Sequence, residues 1–268
     1  SDDVTVTVQA PDTEAPTVVS VSPPDGTADV PVNAQVVVGL SEPISSFSVG
    51  SNNLVVSTNG TPVTGKLNLN SARTTLTFTP TNPLTVSTAY TIAVSGLTDW
   101  SGNTMVPFNS SFTTRASSVA DTGKPTVASV NPVNNATNVP VTTTIVINFN
   151  EVIDPTTVHN GSIPITIDGI SGVVAGSYAV SGAAVTFTLL SPLPGNVRVR
   201  TTVNSNTVFD LANNGNNFFQ SSFTTQAVTD TTPPQVVLVT PGDGSTGIGR
   251  DAEVVLTFSE SLNPNTIN

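Results

Sequence analysis

A segment that begins at Asp12 returns at Asp121 and again at Asp230, each step 109 residues long, and the interval does not drift. Pro16, Pro125 and Pro234 keep the same step, as do Pro23, Pro132 and Pro241, and Glu42, Glu151 and Glu260. A fixed interval means that one folding unit is copied along the chain, and units of this length can each bury their own core. The 268 residues then divide into a first repeat over 11–118, a second over 119–228 and the N-terminal part of a third over 229–268. Ser1 to Ala10, with Val4, Val6 and Val8 alternating, reads as the last strand of a preceding repeat or a linker.

Within each repeat the apolar residues alternate. Val36, Val38 and Leu40, then Ile145, Ile147 and Phe149, then Val254, Leu256 and Phe258 occupy equivalent places, and Leu76 with Phe78 is matched by Val185 with Phe187. Period two over short runs is the signature of a strand with one buried face. Turn signals separate the runs: Pro24-Asp25-Gly26, Asn59-Gly60, Asn82-Pro83 and Ser101-Gly102-Asn103 favour reversal or positive φ. Roughly seven strands per roughly 100 residues is the content of a two-sheet antiparallel sandwich. The expected fold class is all-β: tandem immunoglobulin-like antiparallel β-sandwiches, two complete and one partial.

Several motifs recur in order. They are Asp-Thr-x-x-Pro at the opening, Pro-x-Asp-Gly-x-x-Asp-Val-Pro after the first strand, Leu-Ser-Glu-Pro at Leu40 to Pro43, and Asp99-x-x-Gly102-Asn103 before Ser111-Phe112-Thr113-Thr114. On these residues the chain resembles the bacterial immunoglobulin-like domains of S-layer proteins and large surface adhesins. The second copy departs at three points: Asn134-Asn135 replaces Asp-Gly, Val152 replaces the proline after the glutamate, and Asp210 is followed by Leu-Ala-Asn-Asn-Gly. The resemblance implies an extracellular, cell-surface setting.

If the strands run alternately up and down, the entry linker, the loop after the second strand and the loop before the last strand meet at one pole of each sandwich. The acidic residues there are Asp12, Glu42 and Asp99 in the first repeat, Asp121, Glu151 and Asp210 in the second, and Asp230 and Glu260 in the third. Oxygen ligands converging at a joint suit calcium, which takes 6–8 of them in flexible geometry. Two roles stay open: a calcium site that stiffens the joint, or carboxylates that shape turns by accepting backbone hydrogen bonds. The resemblance favours calcium, because related surface arrays stiffen their linkers with it. No other cofactor is expected.

Catalysis has little to work with. The single histidine, His159, lies in a loop with Gly50 at the equivalent place, and cysteine is absent, so no Cys–His pair and no histidine-rich zinc site can form. Paired carboxylates could serve glycoside hydrolysis, yet here they recur at every joint. The chain reads as not an enzyme. Seven Lys and Arg against eighteen Asp and Glu give a net charge of −11, which excludes nucleic acid as a natural partner. No run spans a bilayer and no signal peptide opens the chain, which reads as a mature or excised piece.

Three features stand apart from the repeat. Trp100, replaced by Leu211 in the second copy, is expected to cap the core at the joint; the alternative is a stacking surface for a sugar. Arg198 and Arg200 alternate with valines, so both point outward on one strand, either to meet an acidic partner or to guard an edge. Sequons occur at Asn59, Asn109, Asn135 and Asn160. The reading with most support is a spacer or stalk array whose partners are neighbouring Ig-like repeats of the same or adjacent chains, with a surface glycan or protein as a further target. Two alternatives are a subunit of an extracellular filament or lattice completed by strand addition, and an accessory carbohydrate-binding module of a secreted hydrolase.

Overall fold

Alternation becomes strand pairing in the computed structural model, which describes residues 12–228 and 233–260. The expected strand over Ser1 to Ala10 lies outside the described residues. The first repeat contains β1 (Val18–Ser22), β2 (Thr27–Val30), β3 (Val36–Leu40), β4 (Leu54–Thr58), β5 (Thr61–Pro62), β6 (Gly65–Leu69), β7 (Thr75–Pro80), β8 (Ala89–Val94) and β9 (Phe108–Thr114). One sheet has the order β1-β3-β7-β6 and the other β2-β9-β8-β4-β5. The second repeat repeats this plan with β10 (Val127–Asn131), β11 (Ala136–Val139), β12 (Ile145–Phe149), β13 (Ile165–Ile167), β14 (Gly176–Ser181), β15 (Ala184–Leu189), β16 (Arg198–Val203) and β17 (Phe219–Thr225). Its sheets are β10-β12-β15-β14 and β11-β17-β16-β13.

The inward faces are those that the alternation names. Val36, Val38 and Leu40 are buried while Val37 and Gly39 between them are only partly so, and Ile145, Ile147 and Phe149 behave alike. Register places Val36 opposite Phe78 and Val38 opposite Leu76, and one period later Ile145 opposite Phe187 and Ile147 opposite Val185. The core therefore repeats pair by pair. Tyr90 and Phe112 stack with ring centroids 5.4 Å apart on the opposite sheet.

One element departs from a wholly antiparallel plan. Between β1 and β2 the chain leaves the first sheet and joins the second, where β2 runs parallel to β9 with Thr27 opposite Phe112 and Val30 opposite Thr114. β11 and β17 do the same in the second repeat. The crossing needs a left-handed residue, supplied by Gly26 at φ +72° and Asn135 at +62°, and Gly244 at the equivalent place of the third repeat has φ +75°. Asparagine tolerates this conformation, so the Asn134-Asn135 departure keeps the turn. It keeps the latch too: Asp25 Oδ1 accepts from the Ser111 amide at 2.8 Å, and Asn134 Oδ1 accepts from the Ser222 amide at 3.0 Å.

The described part of the third repeat forms a two-stranded antiparallel sheet of β18 (Val236–Thr240) and β19 (Val255–Phe258), on which Leu238 and Leu256 are exposed. Among the described residues no helix is long and apolar enough to cross a membrane.

Close approach fixes one glycine in each complete repeat. A Cβ on Gly65 would overlap the tip of the Phe78 ring and the Thr79 carbonyl oxygen, and one on Gly176 would meet Phe187 and the Thr188 carbonyl in the same way. Gly65→Ala and Gly176→Ala are each expected to destabilise their own repeat by about 1–3 kcal/mol, the usual cost of overpacking, as read from urea unfolding.

Candidate functional site: the pole of each repeat

The end of β3 carries Glu42, the loop before β9 carries Asp99 and the entry segment carries Asp12, and the strand order brings all three to one pole. One carboxylate oxygen from each lies within 4.8 Å of the others. Asp121, Glu151 and Asp210 meet by the same criterion in the second repeat. Asp230 lies outside the described residues, while Glu260, just after β19, is partly buried.

Hydrogen bonds preassemble both clusters. Asp99 Oδ1 accepts from the Asn103 amide at 2.9 Å and Oδ2 from Asn103 Nδ2 at 2.7 Å, while the same Nδ2 donates to the Asp12 carbonyl at 3.0 Å. In the second repeat Asn214 takes this place, donating from Nδ2 to Asp210 Oδ2 at 2.8 Å and to the Asp121 carbonyl at 3.2 Å. One asparagine side chain thus ties the loop before the last strand to the entry segment. Asn213 in place of Gly102 leaves that clamp intact, since it holds a positive φ of +64° where the glycine has +90°, and the asparagine of the Asp-x-x-Gly-Asn motif was its signal in the sequence. Turn shaping is therefore real in both clusters; at Asp210 it occupies Oδ1 with the Ala212 and Asn214 amides, while Oδ2 accepts the single bond from Asn214 Nδ2.

The two poles differ in what lies over them. Leu211, only 4% exposed, belongs to the hydrophobic core of the first repeat, with Val152 packed beside it. The Gln35 amide donates to the Leu211 carbonyl at 3.1 Å. Asn33 grips Asp121 twice, its Nδ2 donating to the Asp121 carbonyl at 2.9 Å and its Oδ1 accepting from the Asp121 amide at 2.8 Å. Arg115 Nη1 stands 3.4 Å from Asp121 Oδ2, and Nη2 donates to the Val119 carbonyl at 2.6 Å. The short 3-10 turn Pro155–Thr157, capped by Asp154, packs against β1. Between the repeats is a recess of about 240 Å³ whose lining includes Asp29, Arg115, Asp121, Glu151 and Asp210.

Burial reverses the behaviour of one motif. Burial pulls the Asp99 carboxyl upward, but hydrogen bonds from the Asn103 side chain and from the amides of Asn103, Gly102 and Ser101 outweigh it, leaving its pKa below the ordinary value. Asp210 has matching bonds from Asn214 and Ala212, yet burial wins there, helped by the Asp121 charge, and its pKa is raised. Both residues are nearly closed to solvent, 4% and 3% exposed, so the difference lies in the depth of surrounding protein and not in direct contact with water. Glu42 is raised by burial, then by Asp12, Asp99 and Glu14. Glu151 is pushed up to about 7 by burial and by Asp210 and Asp121, against Asn150 and Arg115.

The donor set fits a hard cation: three carboxylates, no nitrogen or sulfur, and carbonyl oxygens of Asp12 or Asp121 at the same clamp. The bacterial Ig-like domain family matches residues 12–114, 121–225 and 230–268. The chain belongs to that family. Similar solved structures include the N-terminal part of the bacterial S-layer protein SbsC, 18% identical over 78% of this chain and 44% of that one, with a TM-score of 0.31. Domains 1–6 of surface layer protein SbsC are 17% identical over 85% of this chain and 27% of theirs, TM-score 0.32, and the tandem Ig repeats of Dlar are 10% identical over 79% and 96%, TM-score 0.23. The chain spans less than half the length of those S-layer chains. No curated protein matches it.

The remaining expectations divide. Trp100 is 55% exposed, whereas Leu211 at the equivalent place is buried in the neighbouring Ig-like repeat. His159 is exposed, and its Nδ1 accepts from the Gly161 amide at 3.0 Å, so it shapes its own loop. The basic stripe is not free: Arg200 Nη2 donates to Asp168 Oδ1 at 2.8 Å and Oδ2 at 2.9 Å, and Arg198 Nη2 donates to Ser222 Oγ at 2.8 Å. Nor does it guard an edge, since β16 lies between β13 and β17. The grip of Asn33, the reach of Arg115 and the exposed Phe47 beside Trp100 were not legible, because nothing in local sequence says which loop a neighbouring repeat will touch.

Leu211→Ala in the second repeat is expected to destabilise the first by about 2–3 kcal/mol, as read by calorimetry. The Glu151 proton gives a pH signature. Its pKa stands near 4.5 in the unfolded chain and about 7 in the folded one, so the stabilising proton is fully present below about pH 4.5 and is lost as pH rises through about 7. Glu151→Gln should match the parent near pH 4 and exceed it near pH 8 by on the order of 1 kcal/mol after allowance for solvent screening. Thermal melts without divalent cations provide the check.

Proposed function

We propose that the chain is a structural segment of an extracellular surface protein, a spacer array of Ig-like repeats whose joints are stiffened by calcium. One observation carries this reading: at the joint between the first and second repeats, a carboxylate cluster and a buried leucine from one repeat are seated on the other. A linker meant only to tether would leave both repeats with closed cores of their own. Here Ala116 to Ala120 is bridged by Arg115, which reaches Val119 and Asp121 and holds the connection against the first repeat.

Asp12, Glu42 and Asp99 would hold the ion at one pole and Asp121, Glu151 and Asp210 at the next, with Asp230 and Glu260 as the corresponding pair in the third repeat. When bound, calcium supplies positive charge that three crowded carboxylates otherwise lack. The chain's own residues set the rest. Asn103 and Asn214 fix the loops, the entry aspartates bring the linker into the cluster, and Arg115 offsets part of the charge at the second pole. An ion there would couple the linker to two loops of the following repeat, so bending would have to break coordination as well as packing. The role is mechanical and needs no chemistry on a substrate.

Calcium at a hundredfold excess over its Kd should add about 2.7 kcal/mol to the stability of each repeat that binds it. Excess chelator should lower the Tm of the parent chain and broaden the interdomain distances seen by X-ray scattering, while Glu151→Gln should lose most of the calcium-dependent Tm gain attributable to the second pole. Identical melting and scattering with calcium and with chelator would sink the calcium reading.

A further inference from the structure

The internal repeat allows one pole to be compared with another in the same molecule. Trp100 stands where Leu211 stands in the second repeat, directly after the cluster aspartate, and the Ser46–Ser48 turn stands where Pro155–Thr157 stands. In the second repeat these elements are covered: Leu211 is in the core of the first repeat and the Pro155–Thr157 turn lies on β1. In the first repeat the same positions hold Trp100 at 55% exposure and Phe47 at 89%. Their rings meet edge to face at 6.1 Å.

Arg73 completes the surface. Its guanidinium lies 4.9 Å from the Trp100 ring centre, close enough for a cation–π contact. Arg73 holds φ +62°, where the second repeat has Gly182 at +58°. A left-handed non-glycine residue costs roughly 1–2 kcal/mol, so the first repeat accepts strain to keep a side chain at this spot. Large aromatic rings left open together mark an interaction site.

We infer that the Phe47–Trp100 face is a docking surface for the far pole of another Ig-like repeat of this kind, seated as the first repeat is seated on Leu211. The inference rests on the array reading and assigns that array a second, aromatic type of joint. In this joint Trp100 replaces Leu211 as the residue that enters the neighbour's core, Phe47 covers its flank, and Arg73 orients the indole. A neutral sugar is the competing occupant, since it too would stack on an exposed indole.

Trp100 is the sole tryptophan, so its fluorescence reports the face directly. The test chain places a copy of residues 12–120 immediately before Asp12, with Trp100→Leu in the copy so that one tryptophan remains. Docking predicts emission at shorter wavelength than in the parent and a several-fold fall in acrylamide quenching, with both effects reversed by Phe47→Asp at the joint. Circular dichroism verifies that the added copy is folded. An unshifted, fully quenchable Trp100 beside a folded copy overturns the inference. So does a shift produced in the parent by a neutral oligosaccharide when the added copy produces none. Leu211→Asp in the parent distinguishes failure of docking from failure of the array reading. If scattering shows that it loosens the visible joint while Trp100 stays wet in the extended chain, only the docking inference fails; if it leaves the visible joint unchanged, the array reading fails with it.

Discussion

The insertion of Leu211 into the first repeat is the contact on which the geometry of the joint depends. It brings the loop after Asp210 against the strand region around Gln35, and that placement closes the recess in which Asp121, Glu151 and Asp210 face one another. Without it, the three carboxylates would sit at an open pole, as Asp12, Glu42 and Asp99 do. Burying one leucine side chain removes apolar surface worth roughly 1.5–3 kcal/mol from water. The first repeat also brings Arg115 within 3.4 Å of Asp121, so apolar packing and one ion pair act together at this joint.

The same aspartate motif therefore behaves in two ways. Asp99 and Asp210 accept nearly the same hydrogen bonds, yet the pKa of one falls and that of the other rises, because one pole carries a second repeat above it. Local sequence sets the bonds; assembly sets the sign. A proton is held more readily by Asp210 at the covered pole than by Asp99 at the open one.

Much of this was legible in sequence. Alternation identified the inward faces of β3 and β7, and the fixed period named their counterparts one repeat on. The carboxylate clusters were legible because strand order alone decides which loops share a pole. The strand switch was not, since an Asp-Gly and an Asn-Asn turn signal reversal without saying which sheet the chain joins afterward; the parallel pairing of β2 with β9 is a tertiary outcome. Arg198 and Arg200 misled for a related reason. Their outward direction follows from alternation, but the pairing of Arg200 with Asp168 and of Arg198 with Ser222 depends on strands that only the fold makes neighbours. The burial of Leu211 is a property of two repeats together.

The parallel pairing of β2 with β9 matters most when the ends of a repeat are pulled apart. The chain enters ahead of β2 and leaves after β9, and because the two strands run in the same direction, tension drags one lengthwise past the other. Hydrogen bonds loaded in this way share the force and must give way together, whereas an antiparallel pair opened from its end yields one rung at a time. The short strand that crosses between sheets thus converts a pull along the chain into shear across the sandwich, and the second repeat does the same with β11 and β17.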